Sequence, residues 1–173
     1  MFRNRSVAAS EDIAGMRLGP QLSMYVKDLM ERDVLTLEAC DSLDLVSDLM
    51  QLGRIRHMPI VGKGRLVGIL SQRDLFRAAC SSVLHFRPAA EREWLATIAV
   101  QDVMTRPVFT VTPDASLREA VAILIEKRIG CLPVVADERL VGLLSESDCL
   151  RYLARMLEIS EVKHDLPELS SAG

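Results

Sequence analysis

The sequence predicts a mixed α/β (α+β) protein built from two tandem β-α-β-β-α units related by pseudo-twofold symmetry. Three observations predict it. The chain repeats itself without a gap at an offset of 74 residues, so that residues 26–77 and 100–151 agree at 20 of 52 positions. Each copy passes from an apolar pattern of helical period to two short β-prone runs separated by a tight polar turn. Each copy then reaches an apolar run ending in serine, Gly68-Ile-Leu-Ser71 or Gly142-Leu-Leu-Ser145, where a strand stops and a helix begins. A duplicated unit generally buries its apolar face against its copy, and the two copies offer a cleft on their pseudo-twofold axis.

In chain order, residues 1–22 are polar, small and unpatterned, and read as a flexible N-terminal arm ending in Gly19-Pro20. The first unit, 23–79, opens on a short amphipathic turn, Val26-Lys-Asp-Leu-Met30, and a β-prone stretch, Val34–Leu37. Leu43, Val46, Leu49 and Met50 follow at helical spacing, with Asp41 or Ser42 placed to cap the helix and Gly53 placed to end it. A strand Met58–Val61, a turn Gly62-Lys-Gly64 and a strand Leu66–Leu70 make a hairpin. A helix then starts after Ser71 and runs to about Ala79. Residues 80–99 form a connector, broken at Arg87-Pro88 and helical over Ala89–Ile98, in which Trp94 is expected to pack or form an interface rather than stack on a ligand.

The second unit, 100–155, repeats the plan. Val100-Gln-Asp-Val-Met104 is its opening, and Ser116-Leu-Arg-Glu119 is a capping box ahead of Ala120, Ile123 and Leu124. Strands Leu132–Val135 and Leu140–Leu144 flank the turn Ala136-Asp-Glu138, and a helix runs from Ser145 to about Ala154. Pro59 and Pro133 are expected at strand starts, where a missing amide is tolerated. Residues 156–173 are a C-terminal tail, too short for an effector domain, so the pair is expected to act through a partner or its own assembly.

Composition narrows the function. A net charge of −3 gives no global attraction to nucleic acid or an anionic membrane. Cys40, Cys80, Cys131 and Cys149 form no metal or disulfide spacing and read as free thiols of a reducing cytoplasm. No signal peptide and no run near the roughly 20 apolar residues of a membrane span is present, which points to a cytoplasmic protein. His57, His85 and His164 are scattered, and no HExxH, Walker A loop or dinucleotide fingerprint occurs, so no catalytic site is expected.

The chemistry concentrates at Ser71-Gln-Arg-Asp74 and Ser145-Glu-Ser-Asp148. Each serine can cap the new helix, whose free amides and positive dipole end suit an anion. The aspartate three residues on lies nearly one turn away on the same face, and its carboxylate can accept two hydrogen bonds from a cis-diol such as ribose. The alternative is an ordinary Ser-x-x-Asp cap; recurrence in one frame favours the ligand.

These motifs resemble the CBS domain, in the tandem pair often called a Bateman module, over roughly residues 23–155. The Val-x-Asp-Val/Leu-Met opening, the Val-x-Thr strand, the x-x-Pro-Val/Ile-Val strand and the Gly-h-h-Ser-x-x-Asp junction all occur twice in order. The resemblance implies units packed sheet to sheet, a homodimer through helices, and adenosyl ligands (AMP, ADP, ATP or S-adenosylmethionine) in the clefts, with no obligatory cofactor. It implies that Asp74 and Asp148 bind ribose and that Ser71 and Ser145 meet phosphate. Thr36 and Thr110 would sit on the strand lining adenine, and Met58-Pro59 and Leu132-Pro133 on the apolar wall against the base.

The copies differ where charge matters. Arg56-His57 stands where the second copy has Gly130-Cys131, and Arg73 where it has Ser147. The resemblance places phosphate contacts at Arg56 and His57, and a guanidinium suits that contact. The pocket reached by Arg56, His57 and Arg73 is therefore expected to take the more highly charged ligand; the alternative is that Arg56 and Arg73 are solvated surface residues. The leading expectation is a non-enzymatic adenine-nucleotide sensor that signals to a protein target. A ligand-independent dimerisation module is the second reading. Single-stranded nucleic-acid binding through Arg54–His57 and Arg73 is the third, disfavoured by the acidic balance and scarce aromatics.

Overall fold

The computed structural model describes residues 24–80 and 88–164. The expected arm 1–22, Arg87 of the Arg87-Pro88 break and the end of the tail lie outside the described residues. The first copy contributes β1 (Leu37–Glu38), α1 (Leu43–Gly53), β2 (His57–Gly62), β3 (Arg65–Ser71) and α2 (Gln72–Cys80). After α3 (Pro88–Ala96) and the short α4 (Val100–Val103) come α5 (Leu117–Lys127), β4 (Cys131–Ala136), β5 (Arg139–Ser145) and α6 (Glu146–His164). The sheet order is β1-β2-β3-β5-β4: two antiparallel hairpins that meet at Arg65 opposite Arg139, with β1 parallel to β2.

Local chemistry sets these elements. Lys63-Gly64 and Asp137-Glu138 all take positive φ, the geometry that lets a two-residue turn follow the twist of its strands. Ser116 caps α5 as expected: its hydroxyl accepts the Glu119 amide at 3.2 Å, and the Glu119 carboxylate accepts the Ser116 amide at 3.4 Å. Ser42 stands at the α1 N-cap, but its hydroxyl donates to Asp44 at 2.5 Å instead of capping an amide. Gly53 is the last helical residue of α1, and Arg54 takes the left-handed position at φ 51°. Trp94 packs on α2, its indole donating to the Ala78 carbonyl at 3.4 Å.

Three expectations change. The Val34–Leu37 strand shrinks to Leu37–Glu38, and its second-copy equivalent is a single parallel bridge, Val111 with Val134. Pro59 and Pro133 sit third in their strands, one place further in than expected, because His57 and Cys131 join β2 and β4. Because β1 pairs β2 only at Ile60 and Val61, the strand's outer edge beside Pro59 is unpaired and a missing amide is tolerated there. Helix α6 continues ten residues past Ala154, to His164, because 155–164 contains neither Gly nor Pro to stop it.

The cores reveal an exchange. Leu43, Val46, Met58, Ile60 and Leu70 of the first copy enclose Val100 and Met104, the opening of the second. Reciprocally, Val26 and Met30 are buried with Val111, Leu124, Leu132, Val134 and Leu144. Backbone bonds fix the crossing in pairs related by the 74-residue offset. The Val26 amide donates to the Ala115 carbonyl at 3.0 Å and that of Val100 to Asp41 at 2.8 Å. Glu31 and Leu143 exchange two bonds of 2.9 Å, as Thr105 and Ile69 do at 2.8 and 3.3 Å. The shared glycines of the junction make room: a Cβ on Gly68 would collide with the Met104 thioether, and one on Gly142 would lie 2.7 Å from Met30 Sδ. Among the described residues no helix is long and apolar enough to cross a membrane.

Candidate functional site

Both Ser-x-x-Asp turns are built alike. Asp74 Oδ2 accepts the Ser71 amide at 3.0 Å and the Ser71 hydroxyl at 2.5 Å, while the Asp74 amide donates to Ser71 Oγ at 3.3 Å. Asp148 and Ser145 repeat these contacts at 2.8, 2.6 and 3.3 Å. One carboxylate oxygen of each aspartate is thus engaged in capping, which leaves Oδ1 for other partners. Those second oxygens differ in company. Arg77 Nη1 stands 3.9 Å from Asp74 Oδ1, whereas Arg151 donates directly to Asp148 Oδ1.

The first turn opens on a cleft of about 790 Å³. Its lining brings together Ser71, Arg73 and Asp74 from the start of α2 with Arg56 and His57 from the approach to β2. Thr105 and Pro107 to Phe109, from the stretch after the exchanged opening, complete the lining with Arg128 to Cys131 and Glu146. Four guanidinium groups (Arg56, Arg73, Arg77, Arg128) therefore face two carboxylates (Asp74, Glu146), and the excess positive charge suits an anion. Phe76 and Phe109 add exposed aromatic faces, 67% and 49% accessible.

Arg56 and His57 reach across the pseudo-twofold axis. Arg56 Nη2 donates to Ser147 Oγ at 2.8 Å. His57 lies so close to Gly130 that a Cβ there would stand 2.7 Å from its Cε1. Burial, and secondarily the Arg56 charge, lower the His57 pKa below its ordinary 6.5, against the opposing pull of Glu146 and Asp74. His57 is therefore neutral at pH 7, and the cationic character of the cleft comes from its arginines. Burial and the nearby carboxylates of Glu146 and Asp148 push the Cys131 thiol up to about 12, so it presents no thiolate to the cleft.

The other residues singled out in the sequence lie elsewhere. Met58 and Pro59 on β2, and Leu132 and Pro133 on β4, are fully buried. Half-buried Thr36 and exposed Thr110 stand just before β1 and the Val111 bridge, outside the cleft lining. Ser145 and Asp148 form their own turn and do not line this cleft either. Sequence reasoning missed Arg77, Arg128, Glu146, Phe76 and Phe109. Arg77 and Arg128 carried a signal, because each recurs in the repeat frame as Arg151 and Arg54. Phe109 did not, since its side of the cleft is assembled by the exchange.

The chain belongs to the CBS domain family, whose model matches residues 26–81 and 100–155. It is similar to uncharacterized protein MJ1225 of Methanocaldococcus jannaschii, with 30% identity over 132 residues; the match covers 75% of this chain and 47% of MJ1225. The chain thus spans about half the length of that relative. Among solved structures it resembles a putative acetoin utilization protein (AcuB) from Vibrio cholerae, with a TM-score of 0.67, 37% identity and coverage of 81% and 97%. It also resembles the CBS domain pair of MJ0100, solved with 5'-methylthioadenosine and S-adenosyl-L-methionine, with a TM-score of 0.64, 25% identity and coverage of 75% and 99%.

Proposed function

We propose that the cleft at Asp74 binds an adenosyl nucleotide and that the pair is a cytoplasmic, non-enzymatic regulatory module. The carrying observation is the cleft itself, which gathers a ribose-competent carboxylate and four arginines in a space of about 790 Å³. The adenosyl ligands of the similar MJ0100 pair support the ligand class. In this reading Asp74 Oδ1 accepts from a ribose hydroxyl, and Ser71 with the α2 amides meets the nearest phosphate. Arg56 and Arg73 take the further phosphates. Ser145 and Asp148 form a second, less cationic half-site for a less anionic adenosyl compound. Thr36, Thr110, Met58-Pro59 and Leu132-Pro133 support the strands and walls that bound the two half-sites.

Signalling proceeds through a homodimer whose packing the ligand shifts, changing how it docks on a protein target. Leu150, Leu153 and Leu157 support a helical interface, being exposed by 63%, 52% and 56% at helical spacing along α6. A ligand-independent dimerisation module is the second reading, favoured by the reciprocal Ser-Asp caps. Calorimetry with AMP, ADP, ATP and S-adenosylmethionine separates the two. Saturable binding that Asp74→Ala abolishes supports the sensor, and an Arg56→Ala variant should weaken ATP more than AMP. A folded wild type that binds none of the four would sink the sensor.

A further inference from the structure

The two half-sites are joined by one side chain. Arg56 lines the first cleft, yet its guanidinium ends on Ser147, which belongs to the second Ser-x-x-Asp turn. The pseudo-symmetric bond cannot exist: Gly130 stands in the place of Arg56 and has no side chain, while Arg73 stands in the place of Ser147. Backbone bonds hold both ends in place. The Gln72 amide at the start of α2 donates to the Arg56 carbonyl at 2.9 Å, and the Glu146 amide at the start of α6 donates to the Gly130 carbonyl at 3.0 Å. Arg56 is exposed, so its long side chain can turn without disturbing the core.

We propose that Arg56 is a one-way latch, with two mutually exclusive partners: Ser147 of the second turn and the terminal phosphate of a polyphosphorylated nucleotide in the first cleft. This rests on the nucleotide reading above and adds to it how phosphate number is sensed. A ligand without a phosphate leaves the latch on Ser147. A di- or triphosphate draws the guanidinium into the first cleft, because a charged acceptor outcompetes a neutral hydroxyl. Ser147 is then released beside Asp148, so occupancy of the first half-site changes the surroundings of the second. The coupling runs one way in structure, since only the first copy carries the arginine, although its free energy is reciprocal.

Ser147→Ala tests the latch, because it removes the competitor and leaves every cleft residue in place. ATP affinity should rise about two- to five-fold, the value of one exposed charge-assisted bond. AMP, which lacks the terminal phosphates the latch reaches, should gain less than ATP. In an Arg56→Ala background the same substitution should do nothing to ATP. An unchanged ATP affinity in Ser147→Ala, or an equal gain for AMP, or a gain that persists without Arg56, would overturn the latch while leaving nucleotide binding intact. Failure of the wild type to bind any adenosyl compound would overturn both.

Discussion

The exchange of openings makes a quantitative prediction through Gly68 and Met104. The three atoms nearest a Cβ placed on Gly68 all belong to the Met104 side chain: Sδ, Cγ at 2.9 Å and Cε at 3.2 Å. Gly68→Ala should therefore overpack the first core and destabilise by about 2 kcal/mol. Met104 is 9% exposed, and truncating it to alanine removes the same three atoms. The lost burial and the remaining cavity should cost about 2–3 kcal/mol. The double variant should not cost the sum, since the new methyl enters space that the truncation vacates. A coupling of about 1–2 kcal/mol is expected in a denaturant double-mutant cycle. Met30→Ala, although it alters the first copy's own opening, should add independently to Gly68→Ala, because Met30 lies over Gly142. Additive behaviour of Gly68 with Met104, or coupling of Gly68 with Met30, would refute the exchanged packing.

Two further outcomes follow. Ser116→Ala removes the hydroxyl half of the α5 capping box and should cost about 1 kcal/mol, lowering Tm by about 2–4 °C in a calorimetric scan. His57, faced by Arg56, Arg73, Glu146 and Asp74, has a folded pKa below its ordinary 6.5. As pH falls through 6.5 the unfolded chain takes the proton first, so stability declines there and levels off below the folded pKa. Denaturant midpoints between pH 7.5 and 5.5 should show this slope, and His57→Gln should flatten it; an unchanged slope would assign the effect elsewhere.

The elements legible in the sequence are those whose cause is local. The hairpins follow from apolar runs flanking a two-residue turn, and the α5 cap from Ser116 and Glu119 alone. The Ser-Asp turns were equally readable, since the four residues of each motif contain both capping partners. What stayed hidden depends on chain segments meeting at a distance. The apolar period of Val26–Met30 says that this stretch is buried, but not that it is buried among Val111, Leu132 and Leu144. The same exchange brings Phe109 into the cleft that Asp74 lines, and the packing of the two copies puts Arg56 against Ser147, so this part of the site was invisible to motif spacing. The expected strand at Val34–Leu37 shortened for a related reason: its length is set by what β2 offers for pairing, not by β-propensity.

The crossing of Val26 and Met30 into the distant core also constrains the order in which the protein can be completed during synthesis. The Val26–Met30 stretch leaves the ribosome well ahead of its partners on β4 and β5, which emerge only after residue 131. The first copy must likewise wait for Val100 and Met104 before its interior is filled. Neither half can close on its own residues as they appear. Until the second hairpin is made, Val26 and Met30 remain without their partners on β4 and β5, and the arrival of those strands decides when the opening stretch is sheltered from chaperones and proteases.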